Sequence, residues 1–259
     1  MKPLLKVAKD FARLRLERAE GVVGVLLIGS SSVGYADDSS DVDLEVFVTQ
    51  KSYDSERRTR GGYESFRGTD ISYEWMTVQE LDDALKEWKN DVDLWVYSKS
   101  TVLLDLDGEL KSLLATYRRY PRKVWLEKLF LYWYHATGNA PYDSGKALQR
   151  NDLISAQLYL AQAMEYYTSL IFILNKSFVP YRKWRLLEFE KLEYRPKGYA
   201  EILRGILTTE KWTKQEFEAK QGIINCLVSE LEPKLLDAGI KKEKLENQWK
   251  FKIAYAPNL

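Results

Sequence analysis

The spacing of hydrophobic residues changes along the chain, and the change divides it. Leu4, Val7, Ala8, Phe11 and Leu14 recur at helical spacing, which predicts an amphipathic helix over residues 3–19. Val22 to Ile28 is an apolar, β-branched run of strand length, ended by Gly29-Ser30. From Asp41 to Thr49 the period is two: Val42, Leu44, Val46 and Val48 alternate with Asp41, Asp43, Glu45 and Phe47, the pattern of a second strand. Residues 63–67 and 70–76, broken by Gly68-Thr69, predict a hairpin or adjacent strands. Thr77-Val78-Gln79-Glu80 has capping-box spacing and opens a helix through about Trp88. A short strand, Val102 to Leu106, closes at Asp107-Gly108.

After that strand the period of two is lost. Residues 122–137, 146–175, 183–192, 198–208 and 213–237 all favour helix, and Thr213-Lys214-Gln215-Glu216 repeats the capping box. Breaks fall where helix ends are needed, at Pro121, Gly138 to Gly145, Pro180 and Pro196-Lys197-Gly198. The chain therefore divides near residue 115 into an α/β half and an all-helical half.

Charge and rare residues narrow the chemistry. Lysine plus arginine (39) nearly equals aspartate plus glutamate (38), so net charge does not point to a nucleic acid. A local basic stretch, Arg57-Arg58-Thr59-Arg60-Gly61-Gly62, leaves both a solvated loop and a phosphate or RNA contact open. The single cysteine, Cys226, excludes an intramolecular disulfide and fits a reducing cytoplasm; its apolar neighbours Ile223, Ile224 and Leu227 predict burial. Charges run through the first twenty residues, unlike a signal peptide, and apolar runs fall short of the ~20 residues of a membrane span. A soluble, cytoplasmic protein without a membrane partner is expected. The one histidine, His135, excludes His-rich zinc sites and is expected to be structural, so chemistry falls to carboxylates.

The carboxylates that matter follow Gly29-Ser30 after a ten-residue interval, Ser31 to Ser40. A strand ending in Gly-Ser should present backbone amides and a small hydroxyl at its tip, and the amides of a following short helix suit phosphate oxygens. Asp41 and Asp43, two apart on a strand, face one side together. Two adjacent carboxylates repel and need a cation; such hard oxygen ligands suit magnesium bound jointly with a polyphosphate. Asp91-Val92-Asp93 repeats the acidic pair without the Gly-Ser and is expected on the surface.

The stretch from Val22 to Val48 resembles the signature of the polymerase-β nucleotidyltransferase superfamily, including its lincosamide and aminoglycoside nucleotidyltransferases. The resemblance implies an α+β fold, with a nucleotidyltransferase catalytic domain (residues 1–115) built on a mixed β-sheet flanked by helices. An all-helical substrate- and nucleotide-binding domain (116–259) follows. It further implies that Gly29, Ser30 and Ser40 hold a nucleoside triphosphate, ATP expected, and that Asp41 and Asp43 bind one or two Mg2+ ions. The family expects a third carboxylate, as metal ligand or general base, on a later strand. Asp70, Ser72 and Glu74 share one face of that strand; Glu74 is favoured, Asp70 is the alternative, and an alignment on Ser72 would leave the site without its base. The implied reaction is in-line attack of an acceptor hydroxyl on the α-phosphorus, releasing pyrophosphate.

In the helical half, residues 174–184 and Gln149-Arg150-Asn151-Asp152 look like the helical domain of uncharacterised two-domain relatives. By that likeness Arg150 or Lys183 would touch the triphosphate; the plainer alternative for each is an exposed basic residue. Most of the aromatics (Trp125, Tyr132, Trp133, Tyr134, Tyr159, Tyr166, Tyr167, Phe172) are expected in the core. A small-molecule hydroxyl is the expected acceptor. The alternatives are a protein or tRNA, as in toxin-type relatives, or a degenerate nucleotide-binding or antitoxin module.

Overall fold

The computed structural model describes residues 4–55, 61–253 and 255. Arg57, Arg58, Thr59 and Arg60 of the basic stretch thus lie outside the described residues. The fold is α+β, with two compact units, one running to Arg119 and one from Tyr120.

The first unit carries α1 (Leu4–Phe11), which runs into a π-helical turn, Ala12–Leu16, followed by β1 (Val22–Ile28) and α2 (Gly29–Val33). Next come β2 (Val42–Val48), α3 (Gln50–Ser55), β3 (Gly61–Phe66) and β4 (Thr69–Met76). It closes with α4 (Val78–Leu85), α5 (Asp91–Lys99), β5 (Thr101–Asp105) and α6 (Glu109–Thr116). The five strands form one sheet in the order β3-β4-β2-β1-β5. It is mixed: β2 and β4 run parallel, and the other pairings are antiparallel.

Alternation fixes which way β2 faces. Val42, Leu44, Val46 and Val48 are buried with Val25, Leu27 and Ile71 in the cluster that also holds Leu4, Ala8 and Phe11 of α1. Each such side chain contributes roughly 1.5–3 kcal/mol relative to exposure. A one-residue slip would drive Asp43 and Glu45 into that core, so the register is strongly specified. On the opposite face Phe47 is fully buried.

Local chemistry sets the element ends. Thr77 and Glu80 form the expected capping box at α4: Glu80 N–H donates to Thr77 Oγ1 at 3.0 Å, and Thr77 N–H donates to Glu80 Oε2 at 3.0 Å. Asp91-Val92-Asp93 departs from expectation. It opens a helix rather than lying on the surface, because the Asn90 side chain caps the amides of Val92 (3.1 Å) and Asp93 (3.3 Å), and Asp91 is buried.

The second unit is helical: α7 (Arg122–Thr137), α8 (Ser144–Gln149), α9 (Leu153–Leu174), α10 (Arg185–Phe189), α11 (Tyr199–Leu207), α12 (Lys214–Ser229), α13 (Glu232–Ala238) and α14 (Lys242–Glu246). The predicted helix 146–175 is two helices. Asn151 adopts φ 57°, and Asp152 caps α9 by accepting from Ser155 N–H at 3.0 Å. Central α9 is buried almost all round, with Leu160, Met164, Tyr167 and Ile171 against Trp125, Tyr132 and Trp133 of α7 in one cluster. Of the aromatics expected in the core, Tyr134 is partly buried and Tyr159 is exposed. Cys226 is exposed, contrary to expectation. On α12, Phe217, Ile224, Leu227 and Val228 hold the core face, and Cys226 falls between them on the outer side. The His135 ring stacks on that of Tyr166, with ring centroids 4.9 Å apart. No helix among the described residues is long and apolar enough to cross a membrane.

Candidate functional site

β1 and β2 bring the two halves of the motif together. They are antiparallel with Ile28 opposite Asp43, so the turn leaving β1 lies against the start of β2. Gly29 has φ 69°, a conformation that side chains resist, and a Cβ built there would collide with Asp43 Oδ2. Glycine is thus needed for two reasons at once: the backbone turn and the close approach of a carboxylate. Ser31 Oγ donates to the Asp41 carbonyl at 3.0 Å, fastening the two ends of the loop, and Ser32 Oγ donates to the Gly29 carbonyl at 2.9 Å within α2.

Burial along this face of β2 is graded. Asp41 is exposed, Asp43 half-buried, Glu45 buried and Phe47 fully buried. The parallel partner β4 sets Ser72 opposite Asp43 and Glu74 opposite Glu45. Ser72 Oγ donates to Asp43 Oδ1 at 2.8 Å. A hydroxyl, not a third carboxylate, therefore faces Asp43. Asp70 and Glu74 lie two residues to either side of Ser72, both exposed. The Tyr63 hydroxyl on β3 hydrogen-bonds Asp70, which raises its pKa above the ordinary tyrosine value, and Asp41 adds to the effect. Among the described residues no three acidic, histidine or cysteine side chains are grouped closely enough to hold a metal by themselves.

Ser30 is 7% exposed, so its side chain does not stand free at the strand tip. Ser40 Oγ donates to Asp37 Oδ1 at 3.0 Å and accepts from Asp37 N–H at 2.9 Å, closing the loop on itself. Hydrogen bonds from Ser39, then Ser40, hold the Asp37 carboxyl below its usual range. Arg150 and Lys183 belong to the helical unit. Arg150 is exposed at the end of α8, and the Lys183 amine lies over the rings of Trp184 (5.3 Å) and Tyr181 (5.7 Å).

Glu45 is the residue that sequence reasoning missed. It is 8% exposed, yet its Oε2 has no hydrogen-bond partner, while Oε1 accepts from the Tyr97 hydroxyl at 2.9 Å. Burial pushes its pKa up to about 7; the Tyr97 hydrogen bond opposes this, and the charges of Glu74 and Asp93 add to it. Tyr97 in turn is raised strongly, by burial first and then by Glu45. Asp93 on α5 is also raised by burial. The available signal was Glu45 alternating in phase with Asp41 and Asp43.

The residues present fit a magnesium ion held partly by phosphate. Asp41 is solvent-accessible, and Asp43 is half-buried, positioned by Ser72 and close against the Gly29 backbone. Magnesium commonly takes one or two carboxylates and completes its shell with water and substrate oxygens.

A mixed sheet that carries this turn and acidic strand, with a helical region after it, is the nucleotidyltransferase-like fold. A solved nucleotidyltransferase-like protein from Exiguobacterium sibiricum is similar over 89% of this chain and 78% of its own, with a TM-score of 0.57 and 13% identity. A family model described as a domain of unknown function, DUF4037, matches residues 89–185. No curated protein matches.

Proposed function

We propose that the protein is a cytoplasmic, magnesium-dependent nucleotidyltransferase. It transfers a nucleoside monophosphate, AMP from ATP, to a hydroxyl of a small molecule and releases pyrophosphate. The observation that carries this reading is the contact of the Gly29 backbone with the Asp43 carboxylate, beside exposed Asp41, in a nucleotidyltransferase-like fold. Asp41 and Asp43 would hold one or two magnesium ions, which when bound neutralise charge on the α-phosphate and on the departing pyrophosphate. Gly29 lets the Asp43 carboxylate lie close against the turn. Ser72 holds Asp43 in one orientation, so that less of its freedom is lost on binding. Glu74 or Asp70, both accessible, would take the proton of the acceptor hydroxyl. The motif's resemblance to the antibiotic nucleotidyltransferases favours a small acceptor over a protein or tRNA.

A second reading, a nucleotide-binding module without turnover, is favoured by one observation. The position facing Asp43 is Ser72, which is no base at neutral pH. The test is incubation with each of the four nucleoside triphosphates labelled at the α-phosphate, magnesium, and panels of hydroxyl-bearing small molecules, proteins and tRNA. Pyrophosphate release with label on a small molecule supports the first reading, and label on macromolecule transfers the activity to that acceptor. Nucleotide binding without release supports the second. Asp43→Asn should abolish turnover while circular dichroism shows an unchanged fold; full activity in that variant refutes the assignment.

A further inference from the structure

The helical unit holds a polar centre that nucleotidyl transfer does not use. Arg185, the first residue of α10, is only 7% exposed, and its Nε is shielded from solvent without a hydrogen-bond partner. Beside it Arg182 is paired with Glu165, at 2.7 Å to Oε1 and 3.0 Å to Oε2, so both oxygens of the nearby carboxylate are already engaged. All three side chains line a cavity of about 590 Å³ bounded by α9, α10 and α11. Its other walls are largely aliphatic and include Leu158, Leu203 and Leu207; Leu158 is 66% and Leu207 51% exposed.

Two guanidinium groups line the cavity against one carboxylate, Arg185 buried and Arg182 largely exposed, so its polar side carries an excess of positive charge. Burial disfavours the charged form of Arg185, the charge of Glu165 opposes this and that of Arg182 adds to it, and its buried Nε lacks a hydrogen-bond partner. Such a group is stabilised when a ligand supplies the missing charge. The planar guanidinium suits a carboxylate or phosphate, which it can meet with parallel N–H donors. Exposed leucines at the rim call for an apolar body on the same ligand, and the volume lies in the usual range for small-molecule sites.

We propose that this cavity binds a small amphipathic anion, its carboxylate or phosphate head on Arg185 and its apolar body along Leu158, Leu203 and Leu207. A bare inorganic anion would leave the leucine walls wet. An aliphatic amine would meet two like charges. The site shares no residue with the Gly29–Asp43 motif, so it stands or falls apart from the nucleotidyltransferase reading.

The test is calorimetric titration of the full chain, without nucleotide or magnesium, with octanoate, octyl phosphate, octanol and octylamine below their aggregation limits. One or both anions should bind saturably at one site per chain, and the alcohol and amine should bind about tenfold more weakly or worse, as expected for a charged hydrogen bond. The stronger of the two anions identifies the head group. Arg185→Met should weaken anion binding by about tenfold or more. If that variant does not fold, Leu207→Asp at the exposed rim serves instead, because it sets a negative charge against the anion and should abolish its binding. The proposal is overturned if no probe binds up to millimolar concentration. It is equally overturned if octanol binds as tightly as the anions, or if the folded variants keep wild-type affinity.

Discussion

Replacing Glu45 by glutamine should relieve a destabilisation that depends on pH, and the structure sets its size. In metal-free protein the carboxyl titrates near 7 when folded, against an ordinary 4.5 when unfolded. The unfolded chain therefore loses its proton first, and stability falls as pH rises from about 4.5 through 7, then levels off. A difference of roughly 2.5 units corresponds to about 3 kcal/mol at the alkaline plateau, since one unit is worth about 1.4 kcal/mol. At pH 5 only about 1 kcal/mol of that penalty is present. Glutamine keeps an oxygen to accept the Tyr97 hydrogen bond and carries no charge, although it sets a buried amide in place of the unpartnered Oε2. That fixed cost is the same at all pH values, so the informative quantity is the change in the mutational effect. Glu45→Gln should gain about 2–3 kcal/mol relative to wild type between pH 5 and pH 8.5. Urea unfolding in EDTA-containing buffer at both pH values, with m-values checked for constancy, measures it. An effect that is equal at the two pH values would refute the buried, charge-penalised state of Glu45.

Two further predictions concern the motif and the helical unit. Gly29→Ala should cost about 1–3 kcal/mol, from the positive φ and the collision with Asp43. In an Asp43→Ala background the cost should shrink toward the φ contribution alone, and an undiminished cost in denaturant melts would sink the contact argument. Cys226, exposed on α12, should react with a thiol reagent in the native protein at a rate close to that in denaturant, where a buried thiol would lag by orders of magnitude.

Much of the fold was legible in local patterns because local physics decides it. The alternation of Val42, Leu44, Val46 and Val48 with polar residues fixes a half-buried strand and the side on which its acids stand. Caps at Thr77 and Thr213 announce their helices through hydrogen bonds made within one turn. Where a single residue ends a helix, the pattern is weaker: Asn151-Asp152 splits 146–175 because a left-handed backbone and a side-chain cap outweigh an uninterrupted apolar period. The exposure of Cys226 was misjudged for a related reason. Apolar neighbours in sequence are spread round a helix, and only the packing of α12 selects which of them face inward.

By itself the sequence determined the Gly29-Ser30 turn, the acidic strand behind it and the α+β class, because each depends on contacts between near neighbours along the chain. Which β4 residue faces Asp43 was decided by the parallel pairing of β2 with β4 across nearly thirty residues, a register that hydrogen bonds between strands set and composition does not. That pairing puts Ser72 where a carboxylate was sought. Likewise Asp41, Asp43 and Glu45 are equivalent in the pattern, and only their depth distinguishes them. Tyr97 of α5 reaches Glu45, far from Asp41 at the open end of the strand, so one acid is left in solvent and another is buried with a shifted pKa.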